Sequence, residues 1–202
     1  MSKEEARDLL RKDAKKIEEH LAEKTRSQFT HESMDRWAGQ LCICFEEYCK
    51  HIIQMQNKNT KDPIAFIHFS WLRTNIMRRD YKLRIDSYSK DWYLDRVECT
   101  CEYDATEIYA CLDEFGNQLE LERRKYVHRL SAADAKMIVL EESIKYNIVV
   151  AILVTGAMRQ IIRLPILQQV LKDKAFSIRV GEFHDKSVEV YPRGQNGSRM
   201  EN

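Results

Sequence analysis

Between residues 2 and 24 the apolar positions Ala6, Leu10, Ala14, Ile17 and Leu21 recur at spacings of four and three, which line one side of a helix. The positions between them are mostly charged, so the seam is narrow. With Leu10, Ile17 and Leu21 as its largest residues, such a seam is either buried against the rest of the chain or offered to a helix of a partner chain. A broader stripe follows over residues 30–55, where Met34, Trp37, Leu41, Cys44, Phe45, Tyr48, Ile52 and Met55 keep helical spacing. This is the clearest amphipathic helix in the chain.

Asp62 and Pro63 offer an N-cap with proline in the first helical position, which favours a third helix over residues 64–72. The same run is apolar throughout and rich in aromatics, so a buried strand is the alternative. Tyr81, Leu83 and Ile85 then alternate with Lys82, Arg84 and Asp86. Residues 92–102 answer with Val97, Cys99 and Cys101 alternating against Glu98, Thr100 and Glu102, and together they predict a hairpin. A second hairpin is predicted where Phe176, Ile178 and Val180, then Val188 and Val190, alternate around the turn His184-Asp185-Lys186.

Asp104-Ala105-Thr106-Glu107 has the form of a capping box and predicts a helix carrying Ile108, Leu112, Phe115 and Leu119, with a weak point at Gly116-Asn117. Ser131 and Asp134 open another, expected to reach Leu164 because Pro165 cannot continue the hydrogen-bond ladder. Residues 148–154 of that helix are apolar on every side, which predicts a core helix centred near Ile148. The fold class expected is therefore α+β and predominantly helical: five to six helices around the Ile148 region, with two β-hairpins that can join in one small antiparallel sheet. Residues 1–26 are expected as a charged amphipathic helix, 27–192 as one globular domain, and 193–202 as a polar tail.

Composition supports helices and restricts the partners. Charged residues make up 32% of the 202-residue chain against only six Gly and three Pro, a balance that suits long helices better than turn-rich β structure. The 33 Lys and Arg nearly cancel 32 Asp and Glu, leaving +1, so nucleic acid or an anionic membrane has to be held by a local patch. Residues 146–158, the longest uncharged stretch, fall short of the ~20 apolar residues of a membrane span. The mixed-charge start carries no apolar signal segment, and six Cys without one fit a reducing compartment, so a cytoplasmic location is expected.

Candidate chemistry is sparse. Cys42 and Cys44 lie two apart on a predicted helix and point about 200° away from each other, while Cys99 and Cys101 share a strand face with Val97 and Tyr103; without a C-x-x-C knuckle, core thiols are favoured over zinc. His68, alone in an apolar run, reads as a hydrogen-bonded core residue, and His184 as an exposed turn residue. Asp86, Asp95, Glu98 and Glu102 read as solvated strand carboxylates, because a magnesium nuclease would add a lysine two residues beyond one of them. No phosphate loop, dinucleotide fingerprint or nucleophile elbow occurs, so no cofactor is expected. Arg78, Arg79, Lys82 and Arg84, interleaved with Tyr81, form the best patch for an anion or nucleic acid. Arg123, Arg124 and Lys125 follow Glu120 and Glu122 on an exposed helix face, and Arg159 and Arg163 suit the end of a helix.

The expected function is thus a non-catalytic interaction protein, an adaptor, inhibitor or immunity-type binder, with a protein partner or self-association and no membrane. A nucleic-acid-associated protein using the Arg78 to Arg84 patch is the first alternative. An enzyme whose site gathers residues distant in sequence is the second.

Overall fold

The structure, a computed structural model, describes residues 1–191; the polar tail expected at 193–202 lies outside them. The fold is mixed α+β and predominantly helical, with about 60% of the described residues in helices and a five-stranded sheet. Its elements are α1 (Lys3–Gln28), α2 (His31–Asn57), β1 (Ile64–Trp71), α3 (Arg73–Arg78), β2 (Lys82–Tyr88), β3 (Thr100–Asp104), α4 (Ala110–Arg123), α5 (Ala132–Ile161), α6 (Pro165–Gln169), β4 (Lys172–Glu182) and β5 (Ser187–Tyr191). No helix among the described residues is long and apolar enough to cross a membrane. The chain forms two compact units, the first from residues 1–34, 73–81 and 105–150, the second from 35–72, 82–104 and the described residues from 151 on.

The first unit is helical. Ser2 caps α1 in a reciprocal box: its hydroxyl accepts the Glu5 backbone N–H at 3.1 Å, and the Glu5 carboxylate accepts the Ser2 N–H at 2.7 Å. The seam Ala6, Leu10, Ala14, Ile17 and Leu21 is buried, and α1 packs along α4. Leu10, Ile17 and Leu21 are therefore covered by their own chain and are not open to a partner helix. For the same reason residues 1–26 belong to a larger unit instead of standing apart. Arg7 and Arg11 reinforce the packing by bonding Asp134 and Glu141 on α5. The rings of Tyr81, Tyr109 and Tyr146 form a stacked series, with centroids 4.9 and 5.9 Å apart.

The second unit is built on the sheet, ordered β3-β2-β1-β4-β5. The two hairpins share it, joined through β1, which pairs antiparallel with β2 and parallel with β4. Residues 64–71 are thus the central strand and not the helix favoured from the Asp62-Pro63 signal. A central strand buried on both faces loses its alternation and resembles a buried helix in sequence. Its end is tied by Gln56, whose amide donates to the Leu171 carbonyl and accepts the Leu171 N–H, both at 2.9 Å.

Three other elements depart from expectation. Asp104 ends β3 opposite Lys82, and the Ala105 N–H continues that ladder to the Tyr81 carbonyl, so α4 starts only at Ala110. It then runs through Gly116 and Asn117 without a break. Helix α5 stops at Ile161, and Pro165 opens α6. Most telling, Ile148 is 55% exposed and Ile152 57%, so the middle of α5 is not surrounded. Its buried side is Tyr146, Val150, Leu153, Val154, Ala157, Met158 and Ile161, and a second apolar line through Met137, Ile144 and Ile148 faces outward. Two apolar stripes on one helix give the same composition as a helix buried all round.

Leu10 is fully buried in the first unit. Replacing it with alanine removes three buried carbons and leaves a cavity, and Leu10→Ala is expected to lower unfolding free energy by about 2–5 kcal/mol. Chemical denaturation followed by circular dichroism measures this. A loss under about 0.5 kcal/mol, the range of surface changes, would show that the seam is not core.

Candidate functional site

Neighbours across paired strands project to the same side of a sheet. The register sets Phe66 beside Tyr88 and Ser177, His68 beside Asp86 and Arg179, and Ser70 beside Arg84 and Gly181. Thr100 adjoins Asp86 in the next strand, and Glu102 adjoins Arg84. One face of the sheet is therefore polar through its centre, with Asp86, His68 and Arg179 in a row. The other face presents Ile67, Phe69, Leu83, Ile85, Ile178 and Val180 and is apolar. Helix α2 covers that side, with Phe45 stacked on Phe69 at 5.7 Å and the Tyr48 hydroxyl donating to the Cys99 carbonyl at 2.6 Å.

His68 is wholly buried in the polar face. Its Nδ1 lies 3.3 Å from the Tyr93 hydroxyl, and its ring stacks on Trp92 at 6.1 Å. Burial pushes the imidazole pKa down to about 4, with the charges of Arg179 and His184 acting in the same direction, so the ring is neutral at neutral pH. Among the described residues its Nε2 has no hydrogen-bond partner, and neither do Ser70 Oγ, Ser177 Oγ and Thr100 Oγ1 on the same face. An unsatisfied buried polar atom costs about 1–3 kcal/mol. Four such atoms among the described residues lie on one face of the sheet.

A layer of rings lies over these atoms. Trp92 meets Phe66 edge-on at 4.0 Å and Tyr93 at 5.0 Å, Tyr93 lies against His184 at 4.1 Å, and His184 against Phe183 at 4.2 Å. Trp92 and His184 both hold left-handed backbone angles, φ 55° and 57°, which bulky residues rarely adopt. Two substitution-sensitive devices hold the layer down. Lys61, buried, donates to the Asp95 carboxylate at 2.8 Å and to the Val97 carbonyl at 2.6 Å, while Asp95 accepts the backbone N–H groups of Ser89 and Val97. Burial alone would raise the Asp95 pKa, but these hydrogen bonds outweigh it and hold the carboxyl below its ordinary value. On the other side, a Cβ at Gly181 would lie 2.3 Å from the Lys186 carbonyl oxygen, so only glycine lets the turn bearing His184 close.

The charges of this face are matched in pairs. Arg84 Nε bonds both Asp86 oxygens at 2.8 Å and its Nη2 bonds Glu98, while Arg179 bonds Ser187 and lies 3.5 Å from Glu189. Asp86 and Asp95 are consequently ion-paired and shielded, not solvated as the sequence suggested. Of the expected anion patch, Arg78 and Arg79 belong to the first unit and Lys82 and Arg84 to the second. Arg79 bonds Asn117 and lies 3.4 Å from Asp113, and Lys82 pairs with Glu102 at 3.0 Å. Arg84 alone joins the candidate site, through its stacking over Phe183 at 5.2 Å. Trp92, Tyr93, Ser70, Ser177 and Arg179 were not foreseen. The available signal was His68-Phe69-Ser70, two polar residues two apart in an otherwise apolar strand.

Because His68 has a folded pKa near 4 against an ordinary 6.5, the unfolded chain takes up this proton first as pH falls. Its contribution to stability is whole above pH 6.5 and is lost progressively toward pH 4, by about 3 kcal/mol. Denaturation midpoints between pH 7 and 4 are expected to show this loss, reduced in His68→Phe, and the ring nitrogens of His68 to titrate near 4 by NMR. A titration near 6.5 would contradict the buried, neutral ring.

No protein-family model matches the chain, and no curated protein or solved structure matches it, so the site's geometry is the ground for a functional reading.

Proposed function

We propose that the second unit is a non-catalytic binding module that takes a small, planar, hydrogen-bonding molecule onto the polar face of the sheet. The supporting observation is the cluster of His68 Nε2, Ser70 Oγ, Ser177 Oγ and Thr100 Oγ1, buried without partners beneath a layer of aromatic rings. A planar heterocycle takes the place of a ring in that layer and brings edge donors and acceptors to the orphaned atoms. Paired arginines favour a neutral polar ligand over a polyanion, since Arg84 and Arg179 already bond carboxylates or hydroxyls. A neutral His68 can donate or accept at Nε2 according to its tautomer, but among the described residues no hydrogen bond joins it to Ser70 or Ser177 as a nucleophile–base pair would require. Binding therefore fits better than catalysis.

The probes that test this are free purine and pyrimidine nucleosides and indole, titrated against the full chain while Trp92 is followed by NMR of its indole N–H. At least one probe is expected to shift that signal saturably, with Trp92→Phe weakening binding by up to about fivefold (read on the Trp71 signal or by calorimetry) and Ser70→Val/Ser177→Val by about thirtyfold, each lost hydrogen bond or stacking contact being worth about 1 kcal/mol. Shifts unaffected by either variant, or no shift with any probe, reject the site. A short single-stranded oligonucleotide binding more tightly than every nucleoside would favour the nucleic-acid reading instead.

A second reading rests on α5. Met137, Ile144 and Ile148 are exposed along one line of that helix, and exposed apolar surface of this kind marks protein contacts. We propose that the line pairs with the same line of a second copy, since a single apolar stripe is self-complementary about a two-fold axis. Sedimentation is expected to show a concentration-dependent dimer that Ile148→Asp converts to monomer with unchanged circular dichroism. A monomer at every concentration for the unaltered chain would remove self-pairing.

A further inference from the structure

Two thiols meet between α2 and the sheet. Cys101 pairs with Ile85 across β2 and β3, which places it on the apolar face toward α2. Cys44 lies on α2 with its Sγ 3.7 Å from the carbonyl oxygen of Glu102, the residue after Cys101, which brings the two thiols within reach of one another. These two are half-buried, whereas Cys42, Cys49, Cys99 and Cys111 are buried. The sequence reading treated all six as core thiols, and four of them fit that description.

We propose that Cys44 and Cys101 are a redox-active pair that a hydroperoxide converts into an intramolecular disulfide joining α2 to β3. In the first step the Cys44 thiolate attacks the peroxide; the O–O bond breaks, the sulfur takes one oxygen as a sulfenic acid, and the other leaves as water or an alcohol after taking a proton. In the second, the Cys101 sulfur attacks the Cys44 sulfur. The S–S bond forms, the S–O bond breaks, and the departing hydroxide takes the Cys101 proton as water. Two thiols are oxidised by two electrons and the peroxide is reduced by two.

The order of attack follows from the two environments. The neighbouring Cys101 thiol holds the Cys44 thiol below its ordinary pKa against the opposing effect of burial, so Cys44 is the better source of thiolate. The same proximity and burial push Cys101 up, which suits the resolving thiol. The consequence is mechanical. Strand β3 is an edge strand, hydrogen-bonded to β2 on one side only, and residues 89–98, the loop that carries Trp92 and Tyr93, lead into it. The disulfide fastens the edge strand to α2 and blunts an open sheet edge.

Titrating the reduced full chain with hydrogen peroxide, then alkylating under denaturing conditions and mapping peptides by mass spectrometry, tests the pair. A monomer lighter by two hydrogens is expected, with one linked peptide pair containing Cys44 and Cys101, the other four cysteines alkylated, and the change reversed by a dithiol reductant. In Cys101→Ser, dimedone is expected to trap a sulfenic acid at Cys44; in Cys44→Ser, Cys101 is expected to stay reduced. A link between other cysteines, a link only between chains, or Cys44 carried to the sulfinic acid in the unaltered chain overturns the proposal, and the unaltered chain decides even where a serine variant fails to fold.

Discussion

The central strand sets the terms for the second unit. β1 is paired on both edges and buried on both faces, yet it carries His68 and Ser70 on one of them. Two polar side chains at the middle of a sheet demand cover that is itself hydrogen-bonding or removable. The chain supplies it from the loop after β2 and the turn after β4, and each of these needs an unusual support. The loop is tied by a buried lysine–aspartate pair with two further backbone bonds to the carboxylate. The turn requires the missing side chain of Gly181. Breaking a buried pair by removing one partner typically costs about 3–5 kcal/mol, so the loop is held by more than the contacts of its rings.

This arrangement separates two roles that a sheet usually gives to one set of residues. The apolar face, with Phe69, Ile85 and Ile178 against α2, accounts for the unit's cohesion. The polar face adds little cohesion and leaves four hydrogen-bonding atoms without partners. Strain is concentrated there too, in the left-handed backbones of Trp92 and His184. Unsatisfied polar atoms and strained residues raise the free energy of the same small region.

How much of this was legible in the sequence depends on how local each cause is. Helices α1 and α2 announce themselves through spacing alone, since one packed side is enough to define them. Both hairpins are visible because β2, β4 and β5 alternate. Residues 64–71 were ambiguous for a physical reason: burial on both faces erases the alternation, and the Asp62-Pro63 signal belongs equally to the approach of a strand. The extent of β3 was overestimated because the Asp95 carboxylate gathers residues 89–97 into a loop, and nothing in their pattern shows that Lys61, far away in sequence, will reach it. Arg78, Arg79, Lys82 and Arg84 looked like one patch because a sequence shows adjacency and not neutralisation; Asp113, Glu102 and Asp86 offset the charges of Arg79, Lys82 and Arg84.

Helix α5 shows the limit of composition most clearly. An apolar run on every side suggests a helix enclosed by its fold, yet Ile144 and Ile148 lie outward while Val150, Leu153 and Val154 lie inward. The outward line of Met137, Ile144 and Ile148 leaves apolar surface in water, and its two β-branched residues lower helix propensity. A surface that is costly alone becomes favourable when shared, at roughly 25 cal/mol for each Å² of apolar area removed from water. The helix that looked like the centre of the core therefore divides its apolar residues between a buried side and an exposed line.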